Sequence, residues 1–367
     1  MEESVRNRSP SVIDGIGVKR QRDPEDSGCS NTERHAKRAY GPHSQAIDSE
    51  HSSVPGAKID WSVQTKEQCY ASLTYPNGDV YTGYLEDGLP SGFGTLLCVK
   101  GDSYKGEWKE GMRCGEGTDT TSEGVYTGSW KDNKRSGHGL YVYNDGTCYE
   151  GEWHNGERSG HGIYDRVDGS TYAGEWHNDK PHGQGLCIYP DGQYEGEWKE
   201  GTESGHGRSV NVMGNQYEGE WKDGKQSGHG VTLYAKNGTR FEGAYRGGIR
   251  HGFGIKIHPC GYRFEGEFVN DKKHGRGMCR SEDGKVYEGE WINNKPTGHG
   301  TMTYPTGHTY AGEWMDLRRD GRGVFTWTDG SSYDGGWKRG EKHGRGTNTD
   351  PHGVVTEGEW ENGRQIR

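Results

Sequence analysis

At 367 residues the chain has the length of two or three ordinary domains, yet its hydrophobic content of 28% and mean hydropathy of −1.14 leave too little apolar matter for a thick aliphatic core. A formal charge of −10 argues against nucleic acid as a target. The 65 glycines follow no Gly-X-Y period, which excludes collagen. The 8 cysteines form no CxxC pair, as expected of reduced thiols in an intracellular protein. The start, Met-Glu-Glu-Ser, lacks the basic and apolar regions of a signal peptide. The longest apolar run, Leu96 to Val99, is far too short to span a bilayer.

Residues 1–56 are polar and aperiodic, and are expected to form a disordered tail. Two basic clusters lie in it, Lys19 to Arg22 and Arg34 to Arg38, which suit either a bipartite nuclear import signal or a solvated mixed-charge tail. Residues 57–80 are expected to form a degenerate capping repeat, with Trp61 in a weak first strand and Cys69 and Ala71 at glycine positions of a second.

Residues 81–367 are expected to form an array of about twelve full repeats and a terminal half repeat. A motif Tyr-x-Gly-x-Trp recurs there every 22 to 24 residues. It opens loosely as Tyr81, Gly83 and Leu85. It then reads Tyr104-Gly106-Trp108, Tyr126-Gly128-Trp130, Tyr149-Gly151-Trp153, Tyr172-Gly174-Trp176, Tyr194-Gly196-Trp198 and Tyr217-Gly219-Trp221, leaving out the variable residues. It continues as Phe241-Gly243-Tyr245, Phe264-Gly266-Phe268, Tyr287-Gly289-Trp291, Tyr310-Gly312-Trp314 and Tyr333-Gly335-Trp337, and closes with Thr356, Gly358 and Trp360.

About seven residues after each Trp a second strand signal opens as Gly-x-Gly, as in Gly137-His-Gly139, followed by an Asn/Asp-Gly turn such as Asp145-Gly146. No amphipathic helical stretch intervenes. Each repeat is therefore read as a β-hairpin, and consecutive hairpins as an antiparallel meander. Alternation across a strand puts Tyr149, Gly151 and Trp153 on one face and Glu150 and Glu152 on the other. The glycines, otherwise poor strand formers, are expected to give bare backbone on which the rings lie. The chain ends seven residues after Trp360, so an unpaired strand edge is expected at 356–360, open to another chain.

These units resemble MORN repeats, whose pattern is Tyr-x-Gly-x-Trp, then Gly-x-Gly and a Gly-containing turn. The resemblance covers roughly residues 70–367. Leu85, Tyr245 and Phe268 depart from the Trp, Phe241 and Phe264 from the Tyr, and Thr356 lacks the ring. It implies an all-β fold, an elongated twisted array of antiparallel β-hairpins in a solenoid-like meander. Family members serve as scaffolds at membranes and cytoskeletal structures, often as homodimers, and binding to acidic phospholipids or phosphoinositides has been proposed for them.

Several constellations carry a bland and a functional reading. The Gly-x-Gly pairs run into strands, so they do not make a phosphate loop. Glu107, Glu152, Glu175, Glu197, Glu220, Glu267, Glu290, Glu313 and Glu359 precede the Trp and are read as a solvated acidic ladder or a groove for a basic partner. Equivalent histidines, such as His138, His161, His206 and His229, recur at repeat spacing, about 10 Å apart, too far to share a metal ion. Basic residues after the Trp define a candidate lipid or partner stripe: Lys131, Lys134, Arg135, Lys222, Lys225, Lys272, Lys273, Arg318 and Arg319, diluted by Asp132, Asp223 and Asp271. No catalytic, metal or cofactor site is assigned.

The function expected is a non-catalytic scaffold or protein-interaction module that self-associates. Two alternatives stand beside it: a peripheral protein binding acidic phospholipids, and a targeting subunit for an enzyme supplied in trans. The expected location is intracellular, in the cytoplasm or peripheral to membrane or cytoskeleton, and nuclear if the tail clusters act in import.

Overall fold

The computed structural model describes residues 68–367. Among them are twenty-seven β-strands, numbered here in chain order, and no helix. Each strand between the first and the last pairs antiparallel with the strand before it and the strand after it, as β2 (Val80–Glu86) does with β1 (Gln68–Thr74) and β3 (Leu89–Leu97). The result is one open sheet laid down in sequence order. The tail, its basic clusters and Trp61 lie outside the described residues. In β1, Ala71 sits opposite Gly83 and Cys69 opposite Leu85.

The repeat built on β8 (Cys148–His154) and β9 (Glu157–Asp165) shows why the motif folds as it does. Tyr149 pairs with Tyr164, Gly151 with Gly162, and Trp153 with Arg158. Two steps on β8, Gly151 to Trp153, therefore match four on β9, Arg158 to Gly162. The extra residues form a bulge in β9, and Gly160 sits in it at φ +67, a conformation costly for residues with a Cβ. Gly162 is there for a different reason. A methyl group on it would fall on the Tyr149 ring, which lies flat over the Gly151–Gly162 backbone pair.

The strands of each repeat join earlier than the sequence suggests. The second strand starts at the fourth residue after the Trp, as Lys134 follows Trp130, and not at the Gly-x-Gly. The intervening two residues both have positive φ, as in Asp132 (φ 49) and Asn133 (φ 66), or Asn155 (φ 52) and Gly156 (φ 93). That is the type I′ turn whose twist matches a hairpin. The turn polar groups also tie neighbours together: Arg113 N–H donates to Asn133 Oδ1 at 2.8 Å, and Arg158 N–H to Asp179 Oδ1 at 3.0 Å.

The far edge differs from expectation. Beyond β26 (Val355–Glu361), the chain turns back as β27 (Arg364–Gln365), with Trp360 opposite Gln365 and Glu361 opposite Arg364. Glu359 N–H donates to Arg367 O and Ile366 N–H to Glu359 O. The edge at 356–360 is thus covered over its second half, because a two-residue I′ turn at Asn362-Gly363 suffices to reverse the chain.

Two substitutions test these local causes. Leu317 is the one apolar side chain in a turn position with positive φ (φ 71), and it is 61% exposed. Leu317→Gly should raise stability by about 1 kcal/mol in urea unfolding, because Leu in this conformation costs about 1–2 kcal/mol and an exposed side chain gives up little packing. Gly162→Ala should lower it by at least about 2 kcal/mol, since the ring above has nowhere to go.

Candidate interaction surface

One face of the sheet carries an unbroken series of rings. From Trp108 to Trp337, each ring at the Trp position packs edge-to-face against the Tyr or Phe of its own repeat and that of the repeat before. Trp108 lies 5.2 Å from Tyr104 and 5.3 Å from Tyr81, and Trp153 lies 5.2 Å from Tyr149 and 5.3 Å from Tyr126. The series runs through the Phe repeats without a break, with Phe268 5.1 Å from Phe241 and 5.2 Å from Phe264. It ends with Trp360 at 4.9 Å from Tyr333.

The polar ends of the rings are satisfied by backbone. Tyr149 O–H donates to Glu152 O at 2.9 Å, and Trp153 Nε1–H to Gly139 O at 3.2 Å in the preceding repeat. Tyr245 replaces the indole bond with one between its hydroxyl and Thr232 Oγ1 at 2.5 Å. Burial of these phenols raises their pKa: Tyr81 and Tyr245 are pushed up to about 12, and Tyr104 and Tyr149 higher still.

Over the rings lies a second layer that the sequence reading missed. In seven repeats the residue paired with the Trp-position ring is a cation that reaches away from that ring, toward the next repeat. Arg113, Arg135, Arg158, Arg250, Lys273, Arg319 and Lys342 put their charged ends over aromatic faces, as Arg158 does 4.5 Å from the Trp176 centroid and Arg319 4.1 Å from that of Trp337. Each covers the Tyr or Phe of its own repeat and the Trp-position ring of the next. Burial holds Lys273 and Lys342 below the usual lysine range. Pro90, Pro181 and Pro296 take the same position in three other repeats.

The candidate stripe therefore splits. Arg135, Lys273 and Arg319 are taken up by the ring face, while Lys131, Lys134, Lys222, Lys225, Lys272 and Arg318 stay exposed at the hairpin ends. Counting back in twos from Gly139 would have put Arg135 on the ring side, had the segment been read as strand.

The glutamates of the acidic ladder stay about half exposed, as Glu152 (56%) and Glu197 (47%) show, and they also have a structural part. The carboxylates of Glu107, Glu152, Glu175, Glu197, Glu220, Glu267, Glu290 and Glu313 fold over the bulge glycines Gly115, Gly160, Gly183, Gly205, Gly228, Gly275, Gly298 and Gly321. All but Glu267 accept the backbone N–H that follows the bulge glycine, such as His161 N–H to Glu152 Oε1 at 3.0 Å and His229 N–H to Glu220 Oε1 at 2.7 Å. These are structural latches. The histidines beside them stay exposed, with His161 Nδ1 3.8 Å from Glu152 Oε1. Among the described residues no group of three or more His, Cys, Asp or Glu is arranged to hold a metal ion.

A family model described as MORN repeat matches residues 81–103, 104–118, 126–148, 149–171, 172–193, 194–216, 217–239, 241–259, 264–286, 287–309, 310–332 and 333–351. No curated protein sequence matches the chain. Among solved structures it is similar to the TCP domain of SAS-4 from Drosophila melanogaster in complex with a proline-rich motif of Ana2, at 12% identity over 49% of this chain and 85% of that one, with a TM-score of 0.26. The TCP10 domain of Danio rerio CPAP in complex with a STIL peptide matches at 11% identity over 80% of this chain and 100% of that one, with a TM-score of 0.20. A virginiamycin B lyase from Staphylococcus aureus matches at 10% identity over 80% and 96%, with a TM-score of 0.13. Likenesses of that depth say nothing about what this chain binds.

The phenols set an alkaline limit. Their folded pKa values lie above the ordinary value of 10.0, so their contribution to stability is complete below pH 10 and is lost as pH rises through about 12 and beyond. In a pH titration of unfolding, stability should stay level to pH 10 and then fall. Phenolate absorbance from the ring series should appear together with loss of the sheet signal and not before it.

Proposed function

The chain belongs to the MORN-repeat family, and from that premise we propose that it acts as a non-catalytic scaffold that associates with itself and with other proteins. The repeats indicate an interaction or membrane-associated module. The observation that carries the scaffold reading is the open sheet. β1 pairs on one side with β2, and among the described residues no strand pairs with its other side. Tyr70 of β1 is 66% exposed and packs edge-to-face on Tyr84 at 5.3 Å, giving that edge an aromatic surface. An edge of this kind is a template for a strand of another chain.

Sedimentation equilibrium of the full chain tests it. The expected result is a dimer that Tyr70→Lys weakens, since a charge at a strand edge opposes pairing. A strict monomer at high micromolar concentration would contradict self-association.

Binding to acidic phospholipids is the second reading, and the six exposed cations at the hairpin ends favour it. Co-sedimentation with anionic vesicles at low salt should show binding that Lys222→Glu with Lys225→Glu reduces. No binding to such vesicles would remove that reading. A cytoplasmic or membrane-peripheral location is proposed with either, and nuclear import through Lys19 to Arg22 and Arg34 to Arg38 is a separate proposal, tested by substituting both clusters and watching location.

A further inference from the structure

The series of cations and prolines at the ring-covering position is interrupted once. In two successive repeats the ring-covering position holds Glu203 and Gln226 in place of Arg, Lys or Pro. By the geometry of the other repeats, the slot at position 203 lies over Tyr194 and Trp221. Trp221 is also the exception in its series. The eleven other rings from Trp108 to Trp360 are at most 6% exposed, whereas Trp221 is only partly buried. The two clusters of buried rings divide there, one ending at Trp198 and the next starting at Tyr217.

The gap is a cavity of 520 Å³. Its floor is small, with Ser209 and Thr232 where Tyr141 and Tyr164 stand in earlier repeats. Tyr189 and Tyr234 wall it. Glu203 lies at one side, its Oε1 accepting the Tyr189 O–H at 2.7 Å. Arg250 lies at the other, but its guanidinium is engaged with Asp271 at 2.7 Å and leaves the acid of Glu203 unneutralised by it.

We propose that this cavity is a docking site for an arginine or lysine side chain of a partner protein, presented on an extended segment. The partner's cation would take, in trans, the place over Tyr194 and Trp221 that seven repeats fill from their own chain, and Glu203 would meet its charge. The same position thus carries the complement of what it carries elsewhere: an acid where a guanidinium belongs, beside an indole that is only partly buried. Cation–ring contact and charge pairing both strengthen as water is excluded, so the slot should prefer cationic to neutral side chains of the same shape. This site rests on the interaction reading above but is independent of self-association through β1, since it lies in the middle of the array.

The full chain labelled with indole-15N tryptophan provides the test, the Trp221 resonance being identified by its loss in Trp221→Phe. A short capped peptide with one arginine between Gly and Ser residues should shift that resonance in a saturable way and leave the other indoles in place. The citrulline counterpart should bind about tenfold more weakly, as should the arginine peptide with Glu203→Gln. Glu203→Arg should fill the slot from within and abolish the response, its fold being checked by the remaining indole signals. Four outcomes would overturn the proposal: no shift of Trp221 in the unsubstituted chain, equal shifts across all indoles, an undiminished response in Glu203→Arg, or a Trp221 signal that moves with protein concentration before any peptide is added. The last would assign the cavity to a second copy of the chain.

Discussion

Each aromatic edge in this protein is buried by the ring of the next repeat, and that shared burial holds the sheet together. A single hairpin has no inside. Tyr149 and Trp153 become buried only because Trp176 comes down on one side and Tyr126 on the other. Every ring at the interior of the series is used twice, so stability resides in the joints between repeats. With edge-to-face pairs contributing about 0.5–1.5 kcal/mol beyond burial, a chain poor in aliphatic residues can still support a long sheet.

Three local devices make that stacking available. Bare backbone at Gly151 and Gly162 lets a phenol ring lie against the strand pair. The bulge at Gly160 supplies extra length on the second strand, and the Glu152 carboxylate accepts the amide that the bulge would leave without a partner. The I′ turn at Asn155-Gly156 then returns the chain at the right twist. Loss of one device is tolerated where another group takes over. Tyr245 has no indole, yet its hydroxyl meets Thr232.

How far this was legible follows from which features have a period. The ring and glycine positions repeat in register, so the all-β meander and the ring-over-glycine contact could be read from spacing alone. The bulge could not, because nothing in Gly-His-Gly distinguishes a glycine needed for positive φ from one needed for a bare surface. Without the bulge the glutamates looked like a solvated ladder. The turn was set too late because its two residues, such as Asn293-Asn294 or Asp316-Leu317, often lack the glycine that marks an I′ turn. That error turned Arg135, Lys273 and Arg319 into members of a surface stripe when they sit on the rings. The break at Glu203 and Gln226 was present in the sequence as a loss of positive charge, but it has meaning only once the position is known to face aromatic rings.

Coupling between rings of adjacent repeats holds the sheet together, and a double-mutant cycle measures that coupling directly. Tyr149→Leu and Trp176→Leu, singly and together, are to be compared in urea unfolding, with Tyr149→Leu and Trp221→Leu as a pair not in contact. The first pair should show an interaction energy of about 0.5–1.5 kcal/mol and the second should be additive. Additivity in both, to within about 0.3 kcal/mol, would contradict the claim that edge-to-face contact between neighbouring repeats holds the sheet together.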